Sequence, residues 1–105
     1  MTSPVPEVSA AAGAALVDAG ALLLDVREDD EWAAGHAPQA RQMAMSRIQA
    51  EYETLPTDRT IVCICHVGAR SAAVAEALRT AGWDAVNLVG GMVAWERAGL
   101  PVASD

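Results

Sequence analysis

Cys65 is the residue whose surroundings in the sequence best suit chemistry. It follows an apolar run over 60–64 that predicts a buried strand, and an alanine-rich helical pattern begins a few residues later. A thiol placed there faces the N–H groups of a short glycine-containing loop and the positive end of a helix dipole. Such surroundings lower a cysteine pKa from about 8.5 into the range of roughly 3.5–7.5. We therefore predict that Cys65 is a catalytic nucleophile.

The loop after Cys65 is predicted to bind an anionic substrate and the charge on the sulfur. Its N–H groups over 66–70 form a cradle, and Arg70 adds a fixed positive charge. An arginine at a helix start is disfavoured by the dipole, which favours a role in holding the loop or a donor over an ordinary surface position. His66 is expected at the pocket mouth, with no need to act as a general base. The predicted substrate-binding residues are His66, Val67, Gly68, Ala69, Arg70 and Ser71.

Less specific interpretations of the two cysteines are also possible. Cys65 could be an inert cysteine at a buried strand end, a common place for a free thiol. Cys63 lies two positions earlier and on the same side of the strand, where we expect a packing role; redox coupling to Cys65 is the alternative. A disulfide between them would require the strand to contract. A zinc site would need a second ligand pair that the sequence lacks, so no metal is predicted.

Apolar runs alternate with helical patterns along the chain, and this arrangement must position the loop. The spacing predicts strands over 21–26, 40–42, 60–64 and 85–89. It also predicts five helices. The first begins after Ser9 and ends at Gly20, the second spans 28–34, the third runs from Ser46 to Pro56, and the last two span 69–81 and 92–98. The first helix should have Ser9 as its N-cap and should present Ala12, Ala15, Leu16 and Ala19 on one face. Ser46 with Gln49 should form a capping box for the helix that follows Ser46.

Strands separated by helices require crossover connections, which predicts the α/β class: a mainly parallel central sheet with helices on both faces. Ligands of such sheets bind beyond the carboxyl ends of the strands, at the point where the strand order reverses. Cys65 and the segment Asp25-Val26-Arg27 each follow a strand. We predict that Asp25 and Arg27 form a structural ion pair that supports the loops, since partly buried charges tend to be paired.

Composition excludes several classes of protein. The 105 residues are 52% hydrophobic, which predicts a single domain over 1–105 with one core. The net charge is −7 and all positive charge comes from arginine, so neither nucleic acid nor a membrane surface is an expected partner. The N-terminus Met1-Thr2-Ser3-Pro4 has no features of a secretory leader. With only two cysteines and no disulfide framework, a cytoplasmic location is expected.

Several separated motifs, taken in order, resemble the rhodanese homology domain. They are Asp25-Val26-Arg27, Glu31-Trp32, Gly35-His36-Ala37-Pro38, the loop Cys65 to Arg70 with Ser71, Gly90-Gly91-Met92, Trp95 and Gly99-Leu100-Pro101-Val102. The resemblance extends over about residues 5–102 and is best to single-domain rhodaneses. It implies a thiosulfate:cyanide-type sulfurtransferase with a persulfide intermediate and no cofactor. The implied partners are a small sulfur donor such as thiosulfate and a thiol, cyanide or protein acceptor.

Loop length distinguishes the members of that superfamily. The spacing from Cys65 to Arg70 is C-x4-R, which resembles the sulfur-transferring members. Related phosphatases and arsenate reductases have one more residue, and a wider cradle accommodates a tetrahedral oxyanion. Phosphatase activity is therefore the weaker alternative. The alternative of a partner-specific persulfide carrier or interaction module, with little turnover of small molecules, remains open, as do the physiological donor, the acceptor and the oligomeric state.

Overall fold

The sheet has five strands, all parallel, in the order β1-β5-β4-β2-β3. The computed structural model describes residues 5–104, and Met1 to Pro4, where no leader is expected, lie outside the described residues. The strands are β1 (Glu7–Val8), β2 (Leu22–Asp25), β3 (Arg41–Gln42), β4 (Ile61–Ile64) and β5 (Ala85–Leu88). The strand order reverses between β2 and β4, where Asp25 is the register partner of Ile64. Asp25 and Cys65 therefore lie at one edge of the sheet.

Helices connect the strands and cover both faces. They are α1 (Ala10–Asp18), α2 (Asp29–Ala34), α3 (Ile48–Glu51), α4 (Ala69–Thr80) and α5 (Gly91–Arg97), and a 3₁₀ turn (Tyr52–Thr54) continues α3. Side chains of α1 and α5 pack with Leu23 and Val62 on one face, whereas those of α4 pack with Leu24 and Cys63 on the other. The predicted α/β class, with a parallel sheet and helices on both faces, is confirmed.

The first helix has the predicted cap but not the predicted face. Ser9 accepts a hydrogen bond from the N–H of Ala12 at 3.1 Å, as expected for an N-cap. The buried residues are Ala10, Gly13 and Ala14, so the face that carries Ala12 and Leu16 is exposed. Alanine gives little contrast between faces. The glycine decides the packing, because a Cβ at Gly13 would lie 2.9 Å from a methyl group of Leu88.

The predicted capping box at Ser46 is wrong. The hydroxyl of Ser46 donates to Glu28 Oε1 at 2.7 Å, and α3 begins two residues later without a side-chain cap. A capping box is present at α2, where Glu28 and Glu31 exchange side-chain and backbone contacts. The Ser46 hydroxyl, which the local pattern assigned to a helix N-terminus, thus binds a residue 18 positions away in the sequence instead.

The two shortest strands differ in how well the sequence predicted them. Strand β1 was not predicted, because two residues after Pro6 give no readable periodicity; its pairing with β5 holds it in place. The strand predicted over 40–42 is present as β3 beside β2. Among the described residues, no helix has the length and apolar character needed to cross a bilayer.

Candidate active site

Cys65 follows β4 directly, and its sulfur is surrounded by hydrogen-bond donors. The Sγ atom lies 3.1 Å from the N–H nitrogen of Gly68, 3.3 Å from that of Ser71 and 3.2 Å from the Ser71 hydroxyl oxygen. Helix α4 begins at the end of this loop, after Gly68 in a left-handed conformation with φ of 104°. The loop therefore turns its N–H groups and the helix N-terminus toward a single sulfur atom.

These donors determine how Cys65 titrates. Burial alone would raise the pKa of the thiol, but hydrogen bonds from the Ser71 hydroxyl and from the N–H groups of Ser71, Gly68 and Arg70 lower the pKa below its ordinary value. Cys63 behaves oppositely, since burial and the neighbouring sulfur raise its pKa to about 12. Cys65 is thus the more acidic of the two thiols, and Cys63 stays neutral within the core.

Exposure separates three of the predicted loop residues from the nucleophile itself. The side chains of His66, Val67 and Ala69 are exposed around the loop, with Val67 60% exposed. Cys65 itself is only 1% exposed. A reactant therefore has to pass the exposed side chains and present a small group to the sulfur.

Arg70 binds a residue that sequence reasoning did not identify as part of the site. Its Nη1 and Nη2 atoms lie 2.6 Å and 2.7 Å from the two carboxylate oxygens of Glu31 in α2. The pairing lowers the pKa of Glu31 to about 2 and raises that of Arg70 further. The acidic pattern of α2 was visible in the sequence, but nothing local indicated which of its carboxylates faces the loop.

Asp25 and Arg27 form a buried, forked ion pair beneath α2. Arg27 Nη2 lies 2.8 Å from Asp25 Oδ2, and Arg27 Nε lies 3.0 Å from Oδ1. The same guanidinium donates to the backbone carbonyl of Glu31 within the helix and to that of Gly35, the residue that ends it. Arg27 thereby fixes the helix that carries the partner of Arg70, while neither Asp25 nor Arg27 contacts the sulfur in this structure.

Helix α5 supports the loop from below. The N–H groups of Met92 and Val93 donate to the carbonyl oxygens of Cys65 and His66 at 2.8 Å and 3.2 Å. Gly91, with φ of 54°, permits this approach, because a Cβ there would overlap the carbonyl oxygens of both loop residues. With these carbonyls bound from below, the loop is held with its N–H groups directed at the sulfur. This contact between α5 and the loop was not foreseen from the sequence.

A second network lies behind the sulfur, and of the side chains in it only that of Ser71 was predicted to belong to the site. Ser71 is fully buried and its hydroxyl lies 2.6 Å from Asn87 Oδ1. Asn87 lies in β5, and its amide nitrogen contacts Glu7 Oε2 at 3.1 Å and the Gly68 carbonyl at 3.2 Å. A lone asparagine within an otherwise apolar strand was the available signal, since buried polar side chains are nearly always hydrogen-bonded.

Comparison with known proteins agrees with the geometry. The family model described as the rhodanese-like domain matches residues 9–98. The chain is 43% identical over 94 residues to YtwF of Bacillus subtilis, covering 88% of this chain and 91% of that protein. It is 40% identical over 84 residues to a protein of Allochromatium vinosum named as a sulfurtransferase, covering 79% of this chain and 78% of that protein.

The solved structures give the same result. A rhodanese-related protein from Thermoplasma volcanium superimposes with a TM-score of 0.89 at 30% identity, covering 95% of this chain and 99% of that one. A rhodanese-like domain protein from Staphylococcus aureus gives 0.79 at 32% identity, covering 86% and 90% of the two chains. The resemblance predicted from the motifs is therefore confirmed, and the chain belongs to the rhodanese-like domain family.

Proposed function

We propose that this member of the rhodanese-like family is a sulfurtransferase that carries sulfane sulfur on Cys65, from a donor such as thiosulfate to a thiol or cyanide acceptor. The relatives support sulfur transfer as the general role. The observation that carries the proposal is the Cys65 sulfur, which faces three donor groups from Gly68 and Ser71 at 3.1–3.3 Å. Hydrogen-bond donors at these distances stabilise a negative charge on the sulfur.

The reaction we propose has two displacements. The Cys65 thiolate attacks the outer sulfur of thiosulfate, an S–S bond forms to Cys65, and sulfite leaves with the electron pair of the broken bond. An acceptor thiolate, or cyanide, then attacks the outer sulfur of the persulfide, and the Cys65 thiolate leaves. No electrons are gained or lost overall, so the cycle needs no cofactor. The thiolate chemistry suits a reducing compartment such as the cytoplasm, in which both cysteines stay free.

The surroundings of Cys65 also bear on substrate size. Its 1% exposure favours a donor that offers a single projecting sulfur atom over a bulky one. The C-x4-R loop is short, and we expect its cradle to be too small for a tetrahedral phosphate. Sulfur transfer is therefore preferred over phosphate ester hydrolysis.

The test is intact-protein mass spectrometry after incubation of the reduced protein with thiosulfate. We expect one adduct of about 32 Da on the nucleophilic cysteine, which cyanide removes as thiocyanate. Cys65→Ser should abolish both the adduct and thiocyanate formation, whereas the matched variant Cys63→Ala should retain both. An adduct that persists in Cys65→Ser would refute the proposal, and so would turnover of aryl phosphates by the unmodified protein. Loading without turnover on small acceptors would indicate a carrier for a protein partner.

A further inference from the structure

The hydroxyl of Ser71 lies between two acceptors but has only one proton. Its oxygen is 2.6 Å from Asn87 Oδ1 and 3.2 Å from Cys65 Sγ. A hydroxyl donates one hydrogen bond at a time, although its oxygen can accept others. The shorter contact is the one to Asn87. While Cys65 is neutral, the shorter contact directs the proton of Ser71 at Asn87 and away from the sulfur.

The orientation of the Asn87 amide is determined by its other two contacts. Its Nδ2 group lies 3.1 Å from Glu7 Oε2 and 3.2 Å from the carbonyl oxygen of Gly68, and both of those partners can only accept. If the amide were flipped, its oxygen would face two acceptors and its nitrogen would face the hydroxyl, so only the assigned orientation satisfies the network. Asn87 is 2% exposed, which leaves its oxygen dependent on Ser71 for a donor.

We propose that Asn87 is a positioning residue that holds the proton of Ser71 while Cys65 is neutral and releases it when the sulfur carries a negative charge. This inference rests on the proposed function, in which the charged states are the thiolate and the persulfide of Cys65. In the neutral state the thiol donates to Ser71 and Ser71 donates to Asn87. In the charged state the Ser71 hydroxyl rotates and donates to the sulfur, forming a stronger, charge-assisted bond. Only a rotation about the C–O bond is involved, and no proton is transferred.

The hydrogen bond from Ser71 to Asn87 breaks as the bond to the sulfur forms. The sulfur anion is therefore stabilised only by the difference in free energy between these two hydrogen bonds. Asn87 therefore limits how acidic Cys65 becomes. A less acidic thiol is a stronger nucleophile once ionised, and attack is fastest for a thiol whose pKa is near the ambient pH. The position of one amide in β5 thus sets the compromise between the amount of thiolate and its reactivity.

The other charged groups near Cys65 stay fixed while the hydroxyl rotates. Arg70 of α4 is bound by Glu31 of α2, with Glu28 beyond the pair, and Arg27 is bound by Asp25 at the end of β2. Glu7 of β1 lies behind Asn87 and Cys63 of β4 is neutral. His66 in the loop itself is exposed. The movable proton in this set is that of Ser71.

A double-mutant cycle tests the inference by the pH dependence of Cys65 alkylation with iodoacetamide. The four proteins are the unmodified chain, Asn87→Leu, Ser71→Ala and the double variant. Asn87→Leu removes the competing acceptor, so the midpoint should fall by about one pH unit, as the gain of a hydrogen bond to a charge implies. In the Ser71→Ala background the same substitution should leave the midpoint unchanged. Any effect of losing the Asn87 contacts with Glu7 and Gly68 occurs in both backgrounds, so it cancels when one midpoint shift is subtracted from the other.

Two outcomes would overturn the inference. An equal shift in both backgrounds would show that Asn87 acts through the loop rather than through Ser71. No shift in either background, even with lowered stability, would show a structural role alone. If Asn87→Leu fails to fold, the inference can still be tested by NMR on the unmodified protein. Its Asn87 ¹³Cγ resonance should move with the Cys65 titration and stay constant in Ser71→Ala, and a constant resonance in both would refute the inference.

These measurements use alkylation and resonance positions of the resting protein and require no sulfur transfer. Failure of the proposed function would appear as the absence of a persulfide after thiosulfate treatment. Failure of this inference would appear as an uncoupled cycle in a protein that still loads sulfur. The two failures are therefore distinguishable.

Discussion

Arg70 and Glu31 form a two-pronged ion pair that joins the nucleophile loop to α2. Each terminal nitrogen of Arg70 faces one carboxylate oxygen of Glu31, at 2.6 Å and 2.7 Å, and about a third of each side chain is exposed. The positive charge expected beside the sulfur is thus already balanced. Arg70 holds the start of α4 against a helix that Arg27 in turn fixes from below.

Substitution of Arg70 should therefore impair the loop more than a lost charge alone would. Arg70→Ala should raise the Cys65 pKa and reduce sulfur transfer, by at most the roughly 100- to 1,000-fold that loss of one preorganised donor costs at such sites. Arg70→Lys should be intermediate, because lysine keeps the charge but cannot bind both carboxylate oxygens. Thiosulfate loading and alkylation against pH are the measurements. Arg79→Ala, on the same helix, is the control, and unchanged behaviour of both Arg70 variants would contradict the prediction.

Glu31 should make the stability of the fold fall as the pH is lowered into the acid range. Its pKa is held at about 2 by the hydrogen bond from Arg70, against an unperturbed 4.5. A carboxylate with a lowered pKa in the folded state stabilises the fold above pH 4.5, and this contribution is lost as the pH falls toward 2. Glu31→Gln should flatten the decline of the urea unfolding midpoint over that window. Asp30→Asn, at an exposed neighbouring position, is the control. If the urea midpoint of Glu31→Gln fell as steeply between pH 4.5 and 2 as that of the unmodified protein, the predicted contribution of the pair would be contradicted.

The sequence predicted the elements that dominate this fold because their signals are local. The apolar run before Cys65, the glycine in its loop and the helical pattern after it together place the nucleophile, and the structure has β4 and α4 there. Ser46 shows the limit of such reasoning, since its hydroxyl binds Glu28, 18 residues away.

The partners missed in the site are all distant in sequence from the residues they hold. Glu31 lies 39 residues before Arg70, and Asn87 lies 16 residues after Ser71. Composition shows that acidic and amide side chains are present, but only the order of the strands decides which of them reaches the loop. The nucleophile could be predicted from sequence, whereas the side chains that tune it required the folded sheet.

The contact between α5 and the loop should make Gly91 irreplaceable. In Gly91→Ala the new Cβ would overlap the carbonyl oxygens of Cys65 and His66, so the loop must move. Gly99→Ala is the matched control, because its φ of 74° is also left-handed but a Cβ there meets nothing within 4 Å. The control should lose only the cost of that conformation, about 1–2 kcal/mol. Gly91→Ala should lose more stability, together with most of the sulfur loading. Equal loss in the two variants would show that the loop tolerates the displacement.

Cys63 should be a packing residue and not a redox partner of Cys65. It is fully buried in β4, its pKa is raised to about 12, and its sulfur shares a core cluster with Leu24 and Val74. Cys63→Ala should fold and transfer sulfur, with a stability loss on the order of 1 kcal/mol from the small void. Urea unfolding and thiosulfate loading measure the two effects.

The redox alternative gives a different mass spectrum. If Cys63 resolved the Cys65 persulfide, the loaded protein would lose the added sulfur and two hydrogens and contain a 63–65 disulfide, and only Cys63→Ala would accumulate persulfide. We expect both proteins to hold the persulfide equally. Residues two apart on an extended strand have Cα atoms near the upper limit of about 6.8 Å for a disulfide, and contraction would break the pairing of β4 with β2 and β5. Detection of the 63–65 bond in the loaded protein would overturn this assignment.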